Sequence, residues 1–171
     1  MKKVKVIVAT HKKYQMPKEK MYLPVFVGAE GKEEAITKGY QRDDEGENIS
    51  KKNPYYCELT GLYWAWKNLK ADYIGLVHYR RYFTMAKHFP KEEKKRFDLV
   101  FTEKQVQSLL EQTDIILPKK RHYYIENLYS HYVHTMYGET LDETRKVIEQ
   151  KYPTYLLEFD KLKQRTSAHM F

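Results

Sequence analysis

Two charged clusters in this chain have the residue types for chemistry: a cationic, aromatic one at His78-Tyr79-Arg80-Arg81-Tyr82-Phe83 and an acidic one at Asp43-Asp44-Glu45-Gly46-Glu47-Asn48. A guanidinium grips two phosphate oxygens at once through its planar fork, so Arg80-Arg81 suits an anionic ligand such as a diphosphate. The same residues read equally well as a solvated loop whose arginines stack on rings that cap a core. The carboxylates could hold a divalent ion, yet their spacing fits no calcium loop, and a solvated turn is the simpler reading. His131 and His134 lie one helical turn apart and could share a metal, but no third ligand is suggested nearby.

The elements expected around these clusters decide between the readings. Tyr73 to Val77 is a short apolar run without a helical stripe, expected as a strand buried on both faces in the middle of a sheet, with His78 at its end. Val4 to Ala9 is rich in β-branched residues and reads as a first strand ending in Thr10-His11-Lys12-Lys13. Asp114 to Leu117 reads as a third, followed by Pro118-Lys119-Lys120-Arg121-His122. Pro17 to Pro24 is expected as loop, Val25 to Val27 as a short strand, and Glu30 to Tyr40 as a helical turn or two.

Between the strands lie helical patterns. Asn53-Pro54 reads as a cap and first turn of one long buried helix bearing Tyr56, Leu59, Tyr63 and Trp66, with Cys57 as a small buried hydrophobe. Thr102 to Gln105 and Thr140 to Glu143 are capping-box patterns. Tyr123 to Tyr137 is an aromatic helix, and Thr154 to Gln164 another. Strand alternating with helix predicts an α/β domain with a mostly parallel sheet, whose strands finish on one edge. Ligands collect outside the carboxyl ends of such strands, and there the three basic clusters would converge on a pyrophosphate.

Composition narrows the classes. At 171 residues the chain is expected to be a single domain. A hydrophobic share of 42% with 16 tyrosines argues against disorder. Lys and Arg exceed Asp and Glu by 31 to 23, giving +8, which suits nucleic acid, an anionic membrane face or a phosphorylated small molecule. The lone Cys57 excludes an internal disulfide and fits a reducing compartment. The apolar start after Met1-Lys2-Lys3 is too short for a signal peptide, and no run approaches a membrane span. Neither a P-loop nor G-x-G-x-x-G is present, which counts against a kinase or a nicotinamide dehydrogenase.

The segments Asp43 to Ser50 (DDEGENIS), Asn53 to Trp66 (NPYYCELTGLYWAW), Asp72-Tyr73 with His78 to Phe83 (HYRRYF), and Asp114 to Pro118 together resemble the bacterial domain-of-unknown-function family 4422. That family is associated with capsule, exopolysaccharide and O-antigen clusters and is similar to GT-A glycosyltransferases, including galactofuranosyltransferases. The resemblance implies a GT-A-like, Rossmann-like fold. It implies transfer of a sugar, galactofuranose or another hexose, from a nucleotide diphosphate donor to a growing or lipid-linked glycan, in the cytoplasm or at the inner face of the cytoplasmic membrane. Donor-binding residues are expected at Thr10, His11, Asn48, His78, Tyr79, Arg80 and Arg81. Where many GT-A enzymes hold a metal with D-x-D, this sequence has His78 to Arg81, so metal-independent transfer is expected; the alternative retains Mg or Mn through Asp43 and Asp44. Catalytic-base candidates are Asp43, Asp44, Glu58 and His131.

Family members usually continue beyond Phe171 through an apolar strand that Ala168 to Phe171 resembles, so the domain is expected to be incomplete at its C-terminus. Two other readings stand beside the transferase: a catalytically inactive nucleotide-sugar-binding fragment, and a basic nucleic-acid module, the latter disfavoured because no nucleic-acid fold motif appears.

Overall fold

A computed structural model describes residues 2–33, 39–88 and 90–168. It divides into two compact units, Met1–Ile116 and Leu117–Phe171. The first is built on four parallel strands, β1 (Val4–Thr10), β2 (Tyr22–Phe26), β3 (Gln41–Arg42) and β4 (Tyr73–His78), in the order β3-β2-β1-β4. Every pairing is parallel, with Ile7 of β1 opposite Leu23 on one side and Leu76 on the other. All four strands therefore finish on the same edge. The expected α/β, mostly parallel architecture is the one observed.

β1 lies at the centre because both its faces are apolar. Val4, Val6 and Val8 enter one core with Tyr22, Val77, Phe101, Val106 and Leu110, while Ile7 and Ala9 enter the other with Val25, Trp64 and Ala65. Such alternation buries each successive side chain on opposite sides. Tyr73 to Val77 was expected to occupy the middle; β4 is instead an edge strand among the described residues and mostly half-buried. Its expected neighbour, Asp114 to Leu117, forms no ladder. The Thr113 hydroxyl donates to the Ile115 carbonyl (3.1 Å) and accepts from its N–H (3.3 Å), occupying locally the two groups that strand pairing would require.

β2 begins at Tyr22, inside the stretch expected to be loop. Val6 N–H donates to the Met21 carbonyl and Val27 N–H to Thr10, so odd-numbered residues of β2 bond to β1. Pro24 thus directs its missing N–H away from β1, toward the side where β3 reaches only Val25 and Phe26.

The long helix expected from Asn53 is two helices, α1 (Asn53–Tyr56) and α2 (Leu59–Asn68). They are separated at Cys57, whose φ of 47° lies in the left-handed region. Asn53 is the first helical residue rather than the cap, and its side-chain amide donates to the Cys57 carbonyl at 2.7 Å and to Thr60 Oγ1 at 3.1 Å. Cys57 is exposed, not a core residue. α2 buries Thr60, Gly61, Trp64 and Ala65, and leaves outward the Leu59 and Trp66 positions that had been expected in the core. Gly61 permits this close approach: a Cβ there would stand 2.8 Å from Val27 Cγ1.

On the opposite face, α3 (Glu93–Arg96) is a single turn, and α4 (Glu103–Leu110) carries the expected capping box, with Thr102 accepting from Gln105 N–H and the Gln105 side chain accepting from Thr102 N–H. The second unit holds a short antiparallel pair, β5 (Arg121–His122) with β6 (Ser167–Ala168), and α5 (Leu128–Thr135), α6 (Glu139–Lys151) and α7 (Leu156–Asp160). The expected helix of 123–137 is shortened to α5, which Asn127 caps by accepting from Ser130 N–H. Thr140 does not cap α6: the helix starts at Glu139, and the Thr140 hydroxyl donates back to the Tyr137 carbonyl at 2.6 Å. Expectations for 34–38 and for 169–171 fall outside the described residues.

Candidate functional site

At the carboxyl edge of the parallel sheet, Tyr79 follows β4 and its N–H donates to the Ala9 carbonyl at 3.1 Å, holding the ends of β1 and β4 together. Only 2% of the residue is exposed, and basic groups gather around its ring. The His11 and His78 rings lie 5.4 and 4.3 Å from it, and Tyr14 packs edge-on at 5.1 Å. Lys12 Nζ and Arg80 Cζ lie 5.5 and 5.2 Å from the same ring centre, within cation–π reach. Thr10 shapes the β1 half of this cluster: its buried hydroxyl donates to the Lys12 carbonyl at 2.6 Å and accepts from Lys12 N–H at 3.3 Å. That tight turn brings His11 and Lys12 to the Tyr79 ring.

The β4 half is a second tight turn. Arg81 N–H donates to the His78 carbonyl at 2.8 Å, and Arg80 N–H points to His78 Nδ1 at 3.3 Å. With Nδ1 accepting, neutral His78 carries its proton on Nε2 and presents a donor there. Burial lowers the His78 pKa below the ordinary imidazole value, Arg80 lowers it further, and Glu58 opposes both. Glu58 immediately precedes α2, and its side chain makes no capping bond.

The acidic segment does different work on the same edge. Asp43 is wholly buried after β3. Its carboxylate accepts from Gly28 N–H and Ala29 N–H, both at 2.9 Å, from Ser50 Oγ at 2.5 Å and from Thr60 Oγ1 at 2.6 Å. These four bonds tie the turn after β2, the start of the 50–52 turn and the first turn of α2 to one residue. Gly28 has φ of 65°, and a Cβ there would come within 2.5 Å of Asn53 Oδ1, so the latch requires glycine. Asp44 is engaged in turn by Arg42, which donates Nε at 2.9 Å and Nη2 at 2.6 Å to its two oxygens.

The model for the domain of unknown function DUF4422 matches residues 5–171. The chain belongs to the DUF4422 family. Among solved structures, the apo structure of the WbbM bifunctional glycosyltransferase is similar at a TM-score of 0.83 and 30% identity, over 99% of this chain and 33% of that one. The DUF4422 chain thus spans about a third of the length of that protein. No curated protein matches.

Of the expected donor-binding residues, the DUF4422 fold brings together Thr10, His11, His78, Tyr79, Arg80 and Arg81 at the ends of two adjacent strands. Thr10 and Tyr79 are buried supports, whereas His11, Arg80 and Arg81 are exposed. Asn48 is not among them. Its amide donates to the Asp44 and Gly46 carbonyls and its oxygen accepts from Ser50 N–H, so it closes the acidic turn on itself. Asp43 and Asp44, expected as bases or metal ligands, are engaged within the fold: Asp43 has four donors and no exposure, and Asp44 is paired to Arg42. Glu58 lies near enough to His78 for its charge to act on the imidazole. His131 belongs to the second unit, where its Nδ1 meets Glu126 at 2.7 Å. Arg121 and His122 likewise form β5 there rather than end a strand of the parallel sheet. Tyr14 was not singled out from the sequence, and Lys12 was read only as part of the basic cluster Thr10 to Lys13, although Thr-x-Lys after a strand is a recognisable hydroxyl-turn signal for Lys12.

Proposed function

We propose that this chain is the donor-binding part of a glycosyltransferase that takes a nucleoside diphosphate sugar at the Tyr79-centred cluster. The observation that carries this reading is the set of four basic side chains, His11, Lys12, His78 and Arg80, around one buried ring at the carboxyl edge of a parallel sheet. The similarity to a protein titled a bifunctional glycosyltransferase supports the same reading. In the reaction, the bond between the sugar's anomeric carbon and the diphosphate oxygen breaks as an acceptor hydroxyl oxygen bonds to that carbon. Lys12, Arg80 and Arg81 offset the charge left on the departing diphosphate, and the His78 Nε2–H donates to one of its oxygens. The acceptor proton passes to a carboxylate, for which Glu58 is the candidate at this edge. Cationic side chains take the part a divalent ion plays elsewhere, so donor binding needs no Mg or Mn.

The sugar is a hexose, galactofuranose included, and the acceptor a surface glycan or its lipid-linked precursor at the inner face of the cytoplasmic membrane. Calorimetry with a panel of nucleoside diphosphate sugars, in chelator and then with Mg2+ or Mn2+, tests the reading. At least one donor binds in chelator and is transferred to a glycan acceptor if it is right. Binding without transfer selects a nucleotide-sugar-binding module lacking catalysis, and failure of every donor under both conditions refutes the site.

A further inference from the structure

We propose that the outer face of α1 and α2 is a docking surface for an anionic phospholipid bilayer. Successive residues of a helix turn by roughly 100°, so Leu59, Tyr63 and Trp66 share one face of α2, directly opposite the buried Thr60, Gly61, Trp64 and Ala65. On this face Leu59 is 49% and Trp66 66% exposed, and the preceding α1 adds Tyr55 at 88% and Tyr56 at 47%. Lone exposed apolar residues are ordinary, but a contiguous aromatic stripe on a surface helix marks an interaction site. α2 is thus apolar on both sides, with Trp64 turned toward the sheet and Leu59 and Trp66 away from it.

The chemistry of the stripe favours a bilayer over a protein partner. Tyrosine and tryptophan settle at the headgroup level, where an apolar ring body and a polar tip are both accommodated. Lysines flank the rings. Residues 51–70 contain Lys51, Lys52, Lys67 and Lys70 against Glu58, in a chain of net charge +8, and the fold adds one carboxylate to this face, Glu47, to which the Tyr63 hydroxyl donates at 3.0 Å. Lys67 stands 4.1 Å over the Trp66 ring while pairing with Glu47 at 2.9 Å, and Lys51 pairs with Glu30 at 3.2 Å. Lys52 and Lys70 are exposed and enter none of the described ion pairs. A cationic rim around exposed rings matches the negative surface of an anionic leaflet. No helix among the described residues is long and apolar enough to cross a membrane, so the contact is peripheral. Docking through this face would hold the adjoining sheet edge close to a lipid-linked acceptor; only that consequence rests on the transferase reading.

Trp66 is its own probe, because the other tryptophan, Trp64, is buried with its Nε1–H donated to the Glu45 carbonyl at 2.9 Å. The full chain is mixed with phosphatidylcholine vesicles with and without phosphatidylglycerol, and bound protein is measured by sedimentation alongside tryptophan emission. The expected result is binding that needs phosphatidylglycerol, with a blue-shifted emission component that acyl-brominated lipid quenches and that Trp66→Phe loses. Trp66→Ala, checked for folding by circular dichroism, should lower partitioning about tenfold. No vesicle binding, binding indifferent to Trp66→Ala, or a blue shift that grows with protein concentration in the absence of vesicles overturns the proposal, the last in favour of self-association. No sugar nucleotide enters this experiment, so its failure is separate from failure of the donor site.

Discussion

Two charged regions share one edge of the parallel sheet and treat their charge in opposite ways. Around Asp43, every acceptor position is engaged from within: four donors from three segments converge on a carboxylate that solvent never meets. Around Tyr79, imidazoles, an ammonium and a guanidinium are gathered on a ring, and neither Lys12 nor Arg80 meets a carboxylate among the described ion pairs. A saturated buried charge organises a fold, whereas assembled charges left facing outward are available to a ligand. Residue type alone left both open, with the aspartates readable as a solvated turn or a metal site and the arginines as an anion site or a solvated loop.

The comparison breaks most visibly at Asp43. Asp43→Ala strands two backbone N–H groups and two hydroxyls in the interior, and by typical costs of unsatisfied donors it should destabilise the chain by about 4 kcal/mol. Urea denaturation checks this; a variant that unfolds at the wild-type midpoint but has lost catalysis would return Asp43 to the reaction. Gly28→Ala should cost about 2 kcal/mol, since it combines a left-handed backbone with a Cβ at 2.5 Å from Asn53. Pairing it with Asn53→Ala sharpens the point: the contacts with Oδ1 and Cγ at 2.5 and 2.7 Å are removed while that with the Asn53 Cβ at 2.9 Å and the backbone part remain, giving a double variant less damaged than the sum of the two.

The smallest effect concerns His78. Its pKa is depressed in the folded chain by burial and by Arg80, so the unfolded chain takes up the proton first as pH falls. Stability from this group is therefore intact above the ordinary imidazole value of 6.5 and is lost as pH drops below it toward the folded value. His78→Gln should flatten the slope of unfolding free energy against pH between about 7 and 5, measured by denaturant titration. An unchanged slope would show that His78 is not held neutral by its neighbours.

Much of this architecture was legible because strands announce themselves by short-range pattern. Val4 to Ala9 and Tyr73 to Val77 fall in β1 and β4, and their parallel pairing followed from the helices between them. What was not legible depended on partners distant in sequence. The stripe of Tyr56, Leu59 and Trp66 was expected in the core, yet the core took the face bearing Trp64, because Gly61 and Ala65 on that face let α2 approach Val27 closely. β4 reads as a fully buried strand, but its neighbour from Asp114 is withheld by the Thr113 turn. Likewise, the acidic segment has a composition suited to a solvated turn or a metal site. Only the fold reveals that Gly28, Ser50 and Thr60 close around its first aspartate.

The most direct test of the account is the affinity of a nucleoside diphosphate for the chain in the presence of chelator, compared between wild type, Lys12→Ala and Arg80→Ala. Each variant removes one exposed cation from the Tyr79 ring and leaves the Asp43 latch intact, so thermal unfolding should be nearly unchanged. Affinity should fall roughly tenfold in each, as expected for one charged hydrogen bond to phosphate. Binding that vanishes in chelator, or that survives both substitutions undiminished, would contradict the claim that this edge holds its diphosphate with side-chain cations.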